Sequence, residues 1–259
     1  MSKILIENEK VITSEDIEYS YKEKQNIFEI SEITIDIKRD QEISFKINLL
    51  EETKLVINFN LHKNVKLDLS IITTGVMSKI QYKYNLSENS NCHVEKINMV
   101  DGIREMIIAN LDEMSNIDYH FKSIASNKEN YDYMIYHNGV KSISNINNGL
   151  VNEKGLIYVQ ISSFIPKKII GCKANQFNRI INLIDNKCEI RPKLYIDCDD
   201  VEANHSALID KFSHSELFYL KLKGINEESA IKMLTKGFLL NNINNCEIIN
   251  LINQRYGGE

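Results

Sequence analysis

The sequence predicts a mainly β protein that ends in a small helical subdomain. Apolar residues alternate strictly with polar ones through most of the 259 residues, and the pattern changes to helical spacing near Phe212. Strict alternation is typical of strands with one buried face, whereas i, i+3, i+4 spacing is typical of amphipathic helices. The strand patterns return every ~10–12 residues, which favours a sandwich, barrel or solenoid over alternating β and α units.

The alternating runs follow one another with few interruptions. Their apolar members are Ile33, Ile35 and Ile37; Ile43, Phe45, Ile47 and Leu49; Leu55, Ile57, Phe59 and Leu61; Val65, Leu67, Leu69 and Ile71; Ile80, Tyr82, Tyr84 and Leu86; Ile117, Tyr119 and Phe121; and Ile157, Val159 and Ile161. The connections are rich in Asn, which suits tight bends. We predict corners or hairpins at residues 137–139 and 147–149. A solenoid and a sandwich both fit these patterns.

The helical subdomain is predicted to begin just after Phe212. Ser213 lies three residues before Glu216, the spacing of a capping box, and Gly224 is placed to end the first helix in a left-handed turn. Asn226 is predicted to cap a second helix. These signals divide the chain into a β core over residues 1–212 and a helical subdomain over residues 213–259.

Two further helices are predicted in this subdomain. Ile231, Leu234 and Phe238 are spaced as the buried stripe of the second helix. A third apolar run, after an asparagine cluster, contains Ile248, Ile249, Leu251 and Ile252.

Composition excludes several classes of function. A net charge of −5 without a clustered Lys/Arg stripe argues against nucleic acid as a partner. No apolar run approaches membrane-spanning length, and charge near the start argues against a signal peptide. We therefore expect a cytoplasmic protein. The sequence also contains no phosphate-binding loop, no dinucleotide-binding glycine motif and no hydrolase elbow.

The five cysteines form no CxxC pair, and in a cytoplasmic chain we expect reduced thiols. Cys92 and Cys246 are predicted to be small buried hydrophobic residues. The six histidines are scattered without HExxH or His-x-His spacing, so no closed structural zinc signature is present. The acidic residues Asp197, Asp199 and Asp200 fit a solvated turn better than the acid pair of a carbohydrate-active β-helix, which is a remote alternative.

A series of short motifs lies in the segment around residues 170–240. They are the Gln- and Asn-containing strand at 174–179, the leucine-containing strand and turn at 182–190, the Pro-x-Leu-x-Ile…Asp-Asp-Val run at 192–201, the histidine motif at 205–207, and the tail residues Leu217, Phe218, Tyr219, Leu220, Gly224 and Ile225, followed by the last helix at 230–238. Their order and spacing together are more specific than any single piece. In this order the segment resembles the SufB/SufD scaffold proteins of iron–sulfur cluster assembly.

This resemblance implies a right-handed parallel β-helix core with a small C-terminal helical subdomain. It also implies that the helical tail docks a SufC-like ABC ATPase through the tail residues just named. Family members pair through their β-helix cores, so we expect a homodimer, or a heterodimer with a paralogue. We expect the chain to lack the N-terminal helical region of longer members.

Cys188 and His205 are the site residues that the resemblance singles out. Cys188 stands where SufB members carry the cysteine implicated in cluster assembly, and His205 matches the histidine of the His-Gly-Ala or His-Glu-Ala motif. The implied cofactor is a transient iron–sulfur cluster; whether a flavin takes part is left open. Cys172 and Cys198 are further candidate thiols. A thiolate is a soft ligand for iron, and an imidazole can complete such a site.

The chain also departs from the family pattern. Ser206 replaces the glutamate of SufB members and the glycine of SufD-like members, and the turn between Cys188 and Pro192 is shortened. Two functions are therefore expected. The first is a scaffold that builds a cluster without being an enzyme itself. The second is a structural SufD-like partner that holds no cluster.

Overall fold

A computed structural model describes residues 1–7, 10–23 and 30–257. Within these ranges the chain forms fifteen strands followed by three helices. The strands are β1 (Ser2–Glu7), β2 (Lys10–Thr13), β3 (Tyr19–Lys22), β4 (Ser31–Ile37), β5 (Gln41–Leu49), β6 (Lys54–Leu61), β7 (Lys66–Leu86), β8 (Asn91–Leu111), β9 (Asn116–Ala125), β10 (Lys128–His137), β11 (Ile143–Asn152), β12 (Leu156–Ile165), β13 (Cys172–Asn182), β14 (Glu189–Ile196) and β15 (Val201–Asp210). The helices are α1 (His214–Leu222), α2 (Glu227–Leu240) and α3 (Cys246–Tyr256). No helix in the described ranges has the length and apolarity that crossing a membrane requires.

The strands coil into a β-solenoid of about seven turns, which decides between the architectures that periodicity left open. The first sheet contains β1, β5, the first part of β7, the first part of β8, β9, β11, β13 and β15 in that order. The second contains β4, β6, the later parts of β7 and β8, β10, β12 and β14. Pairing between successive turns is parallel. The long strands β7 and β8 belong to both sheets because each bends at a glycine with positive φ, Gly75 in β7 and Gly102 in β8.

The turns of the solenoid keep a regular length in its middle. Leu67 is aligned with Cys92, and Cys92 with Ile117, each 25 residues further along the chain. Towards the C-terminus the corners lengthen, so that Ser144 is aligned with Ala174, 30 residues later. Residues one turn apart therefore stack on one another, as the parallel pairing requires.

The interior is apolar and aromatic, and the alternating pattern predicted it well. Every apolar residue named for the alternating runs is buried. Phe59 stacks on Tyr84 with ring centroids 5.2 Å apart, and Tyr84 meets the edge of Tyr119 at 6.0 Å. Because successive rungs bring their rings into contact, each turn buries its apolar face against the next one rather than against a separate layer.

Asparagine has two roles in the solenoid. At the corners Asn64 and Asn89 adopt left-handed backbone, with φ of 61° and 57°. The predicted corner at residues 137–139 is confirmed, since β10 ends at His137. The corner predicted at residues 147–149 is wrong, because these residues lie inside β11. There the Asn148 side chain faces the interior and donates to Asn178 Oδ1 at 2.8 Å, so a buried amide is satisfied by the next rung.

The helices pack on the outer face of the first sheet. Leu239 of α2 and Ile248 and Ile252 of α3 are buried in one cluster with Ile97 and Val151 of the sheet. Polar contacts fix the same interface. Arg255 Nη2 donates to Glu153 Oε2 at 2.6 Å, and the backbone amides of Asn244 and Asn245 donate to the Glu95 carboxylate at 2.7–3.0 Å. The tail is thus attached to the core through α2 and α3.

The helix caps follow the prediction. Ser213 and Glu216 form the capping box, Asn226 accepts from the Ser229 amide, and Gly224 has a φ of 84°. The stripe predicted for α2 differs, because Ile231, Leu234 and Phe238 are only half-buried. The buried residues of α2 are Ala230, Thr235 and Leu239. Helix α2 contacts α1, α3 and β11. Its buried face is therefore the one that carries Ala230, Thr235 and Leu239, and not the one that carries its larger apolar residues.

Candidate functional site

The last rung of the solenoid, formed by β14 and β15, is open to solvent. β15 pairs with β13 on one side, and no other described strand pairs with it. Its residues are therefore exposed or half-buried along its whole length, including the apolar Leu208 and Ile209. Ile209 is aligned with Ile180 and, one rung earlier, with Leu150, which are both buried, so the end of the solenoid is an incompletely covered core. Leu208 is aligned with Arg179 and lies on the outer face.

Cys188 lies at the corner that leads into β14. Its Sγ accepts a hydrogen bond from Asn152 Nδ2 at 3.3 Å, and the side chain packs half-buried against the interior. Burial raises the pKa of the Cys188 thiol, and the two hydrogen bonds that it accepts, from the Asn152 side chain and the Ile157 backbone, offset this only in part. In the isolated chain Cys188 is therefore a thiol at neutral pH rather than a thiolate.

His205 lies in the middle of β15, exposed and in register with Gln176 of β13. Gln176 Nε2 reaches across the interior to the Lys193 carbonyl of β14 at 3.2 Å, and Lys193 follows Cys188 by five residues. At ~3.3 Å per residue, Lys193 lies about 16 Å along the strand from Cys188, so His205 is level with the middle of β14 rather than with the Cys188 corner. The structure places them on the same open end but not in contact within one chain. Ser206 is exposed beside His205.

Cys172 and Cys198 lie at a different corner from Cys188. Both belong to a small apolar cluster around Ile165 and Ala174, where β14 turns into β15. The Cys172 Sγ is buried and lies 3.4 Å from Ser142 Oγ, whereas Cys198 is half-buried. The three candidate thiols therefore do not form one group, because Cys188 packs against the main core and Cys172 and Cys198 belong to a separate cluster.

The structure also tests the predictions for three acidic residues and two further cysteines. Asp197, Asp199 and Asp200 are exposed in the bend between β14 and β15, as a solvated turn requires. Cys92 is buried inside the solenoid, as predicted. The prediction for Cys246 is wrong: it is exposed, because it occupies the first turn of α3 on the side away from the sheet.

The α1 surface, which we define as Phe218, Tyr219 and Leu222, is exposed. Their exposed fractions are 62%, 60% and 69%, and α1 contains no buried residue. Leu217, Leu220 and Ile225 are half-buried, and Gly224 is exposed. The sequence pattern did not single out Leu222. Large apolar side chains clustered in solvent mark interaction surfaces more often than isolated ones do.

A second polar cluster lies on the outer face of the first sheet. Asp118 Oδ2 is 3.2 Å from His93 Nδ1 and 3.2 Å from His120 Nε2, and Glu95 Oε1 is 3.4 Å from His93 Nε2. The sequence patterns did not reveal this cluster, because His93 and Asp118 are 25 residues apart. That separation is the length of one turn, and only the coiling of the chain makes it visible.

Comparison with known proteins identifies the family. The model described as "SUF system FeS cluster assembly, SufBD core domain" matches residues 23–238. An iron–sulfur cluster assembly SufBD family protein of Mycobacterium bovis is 28% identical over 91 residues, 35% of this chain and 10% of that protein. A family protein of Pyrococcus horikoshii is 40% identical over 53 residues, 20% of this chain and 12% of that protein.

A third SufBD family protein, from Staphylococcus haemolyticus, is 30% identical over 100 residues, which are 38% of this chain and 20% of that protein. The matched segments therefore span a fifth or less of these three curated relatives. The family model, in contrast, covers the chain from just after β3 to near the end of α2. On that match, the chain belongs to the SufBD family of iron–sulfur cluster assembly proteins.

Proposed function

We propose that the chain works in the cytoplasm as a non-enzymatic scaffold subunit of an iron–sulfur cluster assembly complex, docking a SufC-like ABC ATPase through α1. The exposed α1 surface is the observation that carries this proposal. Its aromatic and aliphatic side chains have the character of interface anchors. Phe218 and Tyr219 are also among the tail residues that resemble the ATPase-docking motif of the family.

Pairing through the β-helix core is the second part of the proposal. The open rung at β15 exposes Leu208 and Ile209, and covering them with a second copy buries apolar area that the single chain leaves in water. A two-fold interface uses the same patch twice. It therefore offers a route by which Cys188 of one copy approaches His205 of the other, although the two are apart within one chain.

The cluster and its iron are the cargo of this scaffold. A thiolate binds iron, so iron must displace the proton that burial holds on Cys188. The Cys188 sulfur and the His205 imidazole then supply one soft ligand and one borderline ligand. Cys172 and Cys198 remain further candidate ligands on the neighbouring corner.

ATPase docking is tested by co-purification of the full chain with a SufC-like ATPase. We expect Phe218→Asp and Tyr219→Asp to reduce the ATPase recovered by more than about tenfold, since a buried hot-spot aromatic contributes ~2 kcal/mol or more. Tyr19→Asp is the matched control, because Tyr19 is 42% exposed on β3, far along the solenoid from α1 and from the open rung. Wild-type recovery with both α1 variants contradicts the docking role.

The pairing surface is tested by sedimentation of the same chain. Ile209→Asp is expected to convert a dimer into a monomer, because it places a charge in the covered end of the solenoid. A dimer of unchanged affinity in this variant means that the copies associate elsewhere.

The cargo role is tested by anaerobic reconstitution of the chain–ATPase complex with ferrous iron and sulfide. We expect Cys188→Ala to lose acid-labile sulfide and cluster absorption, while Cys246→Ala keeps both because its thiol lies on α3. A wild-type yield in Cys188→Ala removes Cys188 from the ligand set.

The structural SufD-like alternative is favoured by Ser206 and by the raised pKa of Cys188. It predicts ATPase binding with no cluster in any variant.

A further inference from the structure

The outer face of the first sheet carries four metal-binding side chains in a two-by-two array. His93 and Glu95 lie on β8, and Asp118 and His120 lie on β9. The register aligns His93 with Asp118 and Glu95 with His120. Since residues two apart on a strand share a face, all four side chains project from the same side of the sheet. Parallel pairing without a shift therefore builds the cluster.

The spacing of the donor atoms fits a small metal ion. One ligand atom each from His93, Asp118 and His120 lies within 4.8 Å of the others, and both histidine nitrogens are 3.2 Å from Asp118 Oδ2. A tetrahedral ion with bonds of about 2.0–2.1 Å requires ligand atoms ~3.4 Å apart. The Asp118 oxygen already has that spacing from both nitrogens, so a modest movement of one ring completes three ligands.

Glu95 and the helical tail hold this cluster in place. Glu95 Oε1 faces the second nitrogen of His93, and the Glu95 carboxylate accepts three backbone hydrogen bonds from Asn244 and Asn245. Burial opposes ionisation of Glu95, but the hydrogen bonds from His93 and these amides outweigh it and lower its pKa. A carboxylate behind a ligating histidine is the usual device that orients the ring and increases its basicity.

We propose that His93, Asp118 and His120 bind one divalent transition-metal ion such as Zn²⁺ or Fe²⁺, with Glu95 positioning His93. Two imidazoles and one carboxylate are ligands that these ions prefer, and His93 and Asp118 are each a third exposed, which leaves a coordination position for water. The carboxylates of Asp118 and Glu95 next to the two rings favour positive charge at this point. This site is independent of the proposed cluster site on the last rung.

A bound ion has a structural consequence at this place. Glu95 connects His93 to the turn between α2 and α3, so the metal and the attachment of the helical tail share one carboxylate. Metal binding is therefore expected to raise the melting temperature of the chain, because an ion that binds only the folded state stabilises that state.

The test measures binding of Zn²⁺ and Co²⁺ alone to the full chain. Cys188, Cys198 and Cys246 are replaced by Ser in the background, so that accessible thiolates do not compete. Retained metal is counted after gel filtration, and the d–d bands of Co²⁺ report the ligand set. We expect one ion per chain. Asp118→Asn and His120→Gln are each expected to weaken binding by more than about 100-fold, and Glu95→Gln by about 10–100-fold.

Asp68→Asn is the matched control. Asp68 lies on β7 in register with His93, one rung before the cluster. Asp68→Asn therefore removes the same negative charge as Asp118→Asn, next to the proposed site but outside the proposed ligand set. Unchanged binding in Asp68→Asn together with loss in Asp118→Asn supports coordination. Equal losses in both variants mean that a general electrostatic field attracts the ion, and the proposal is wrong. It is also wrong if the parent chain retains no metal, or if Asp118→Asn and His120→Gln, folded by circular dichroism, retain it fully.

Discussion

Lys96 and Glu105 form an ion pair across the interior of the solenoid. The Lys96 ammonium lies 2.5 Å from each carboxylate oxygen, and both side chains are completely buried. The two residues lie on opposite sides of the bend in β8, so the pair joins the two sheets. The rings of Tyr82 and Phe121 enclose the ammonium at 4.8 Å each. Desolvation lowers the pKa of Lys96, although Glu105 opposes this effect.

Removing both members of this pair is expected to cost less than the sum of removing each one alone. Lys96→Met or Glu105→Gln should each reduce the free energy of unfolding by about 3–5 kcal/mol, because a buried polar group loses its partner. The double variant should lose clearly less than the sum of the two. Urea unfolding of the four chains gives the coupling energy. Additive losses would show that the two side chains do not depend on each other.

His137 predicts a pH dependence of stability. Its ring nitrogens contact the hydroxyls of Ser142 and Ser144 at 2.8 and 3.0 Å, and burial lowers its pKa from 6.5 to about 4. Between these values the unfolded chain binds a proton that the folded chain does not bind, so stability falls as the pH falls from 6.5 to 4. The loss attributable to His137 is about 3 kcal/mol. We expect His137→Gln to lack this part of the acid sensitivity, measured by urea unfolding at several pH values. Parallel curves for both chains would contradict it.

Gly75 is predicted to be intolerant of any side chain. A Cβ there would lie 1.9 Å from the Leu49 carbonyl oxygen of the preceding rung, which is backbone and unable to move aside. Gly75→Ala should therefore fail to accumulate as folded protein. Gly224→Ala is the control, because Gly224 also has positive φ but no atom within 4 Å of the added Cβ. Its cost should be only about 1–2 kcal/mol. Equal thermal stability of the two variants would contradict the close approach of the rungs.

The exposure of α1 gives a stability prediction. Phe218→Ala should change the free energy of unfolding by less than about 0.5 kcal/mol, since Phe218 is mostly in solvent. Ile248→Ala on α3 should cost about 2–5 kcal/mol, because Ile248 is fully buried against the sheet. A large loss for Phe218→Ala would mean that its ring packs inward as a cap of the core.

The sequence predicted the strands because alternation is a local property. The apolar residues of the alternating runs are buried, as expected for every second residue of a strand with one buried face. The resemblance to the SufB/SufD family predicted the β-helix, which the structure confirms. Alternation alone left the coiling open, because coiling is set by corner length and by pairing between residues 25–30 positions apart. The same limitation hid His93 and Asp118. It also hid the exposed row of Lys54, Lys79 and Arg104, which the rung length aligns although no basic run exists in the sequence.

The open rung at β15 has a consequence for local order. Each turn of a solenoid is stabilised only by its immediate neighbours, so the free energy of opening depends on the distance from a free end. Amide hydrogens of β14 and β15 should exchange with solvent faster than those of β8 and β9, which have a neighbour on both sides. Whatever covers β15 therefore sets the lifetime of the folded geometry around Cys188 and His205.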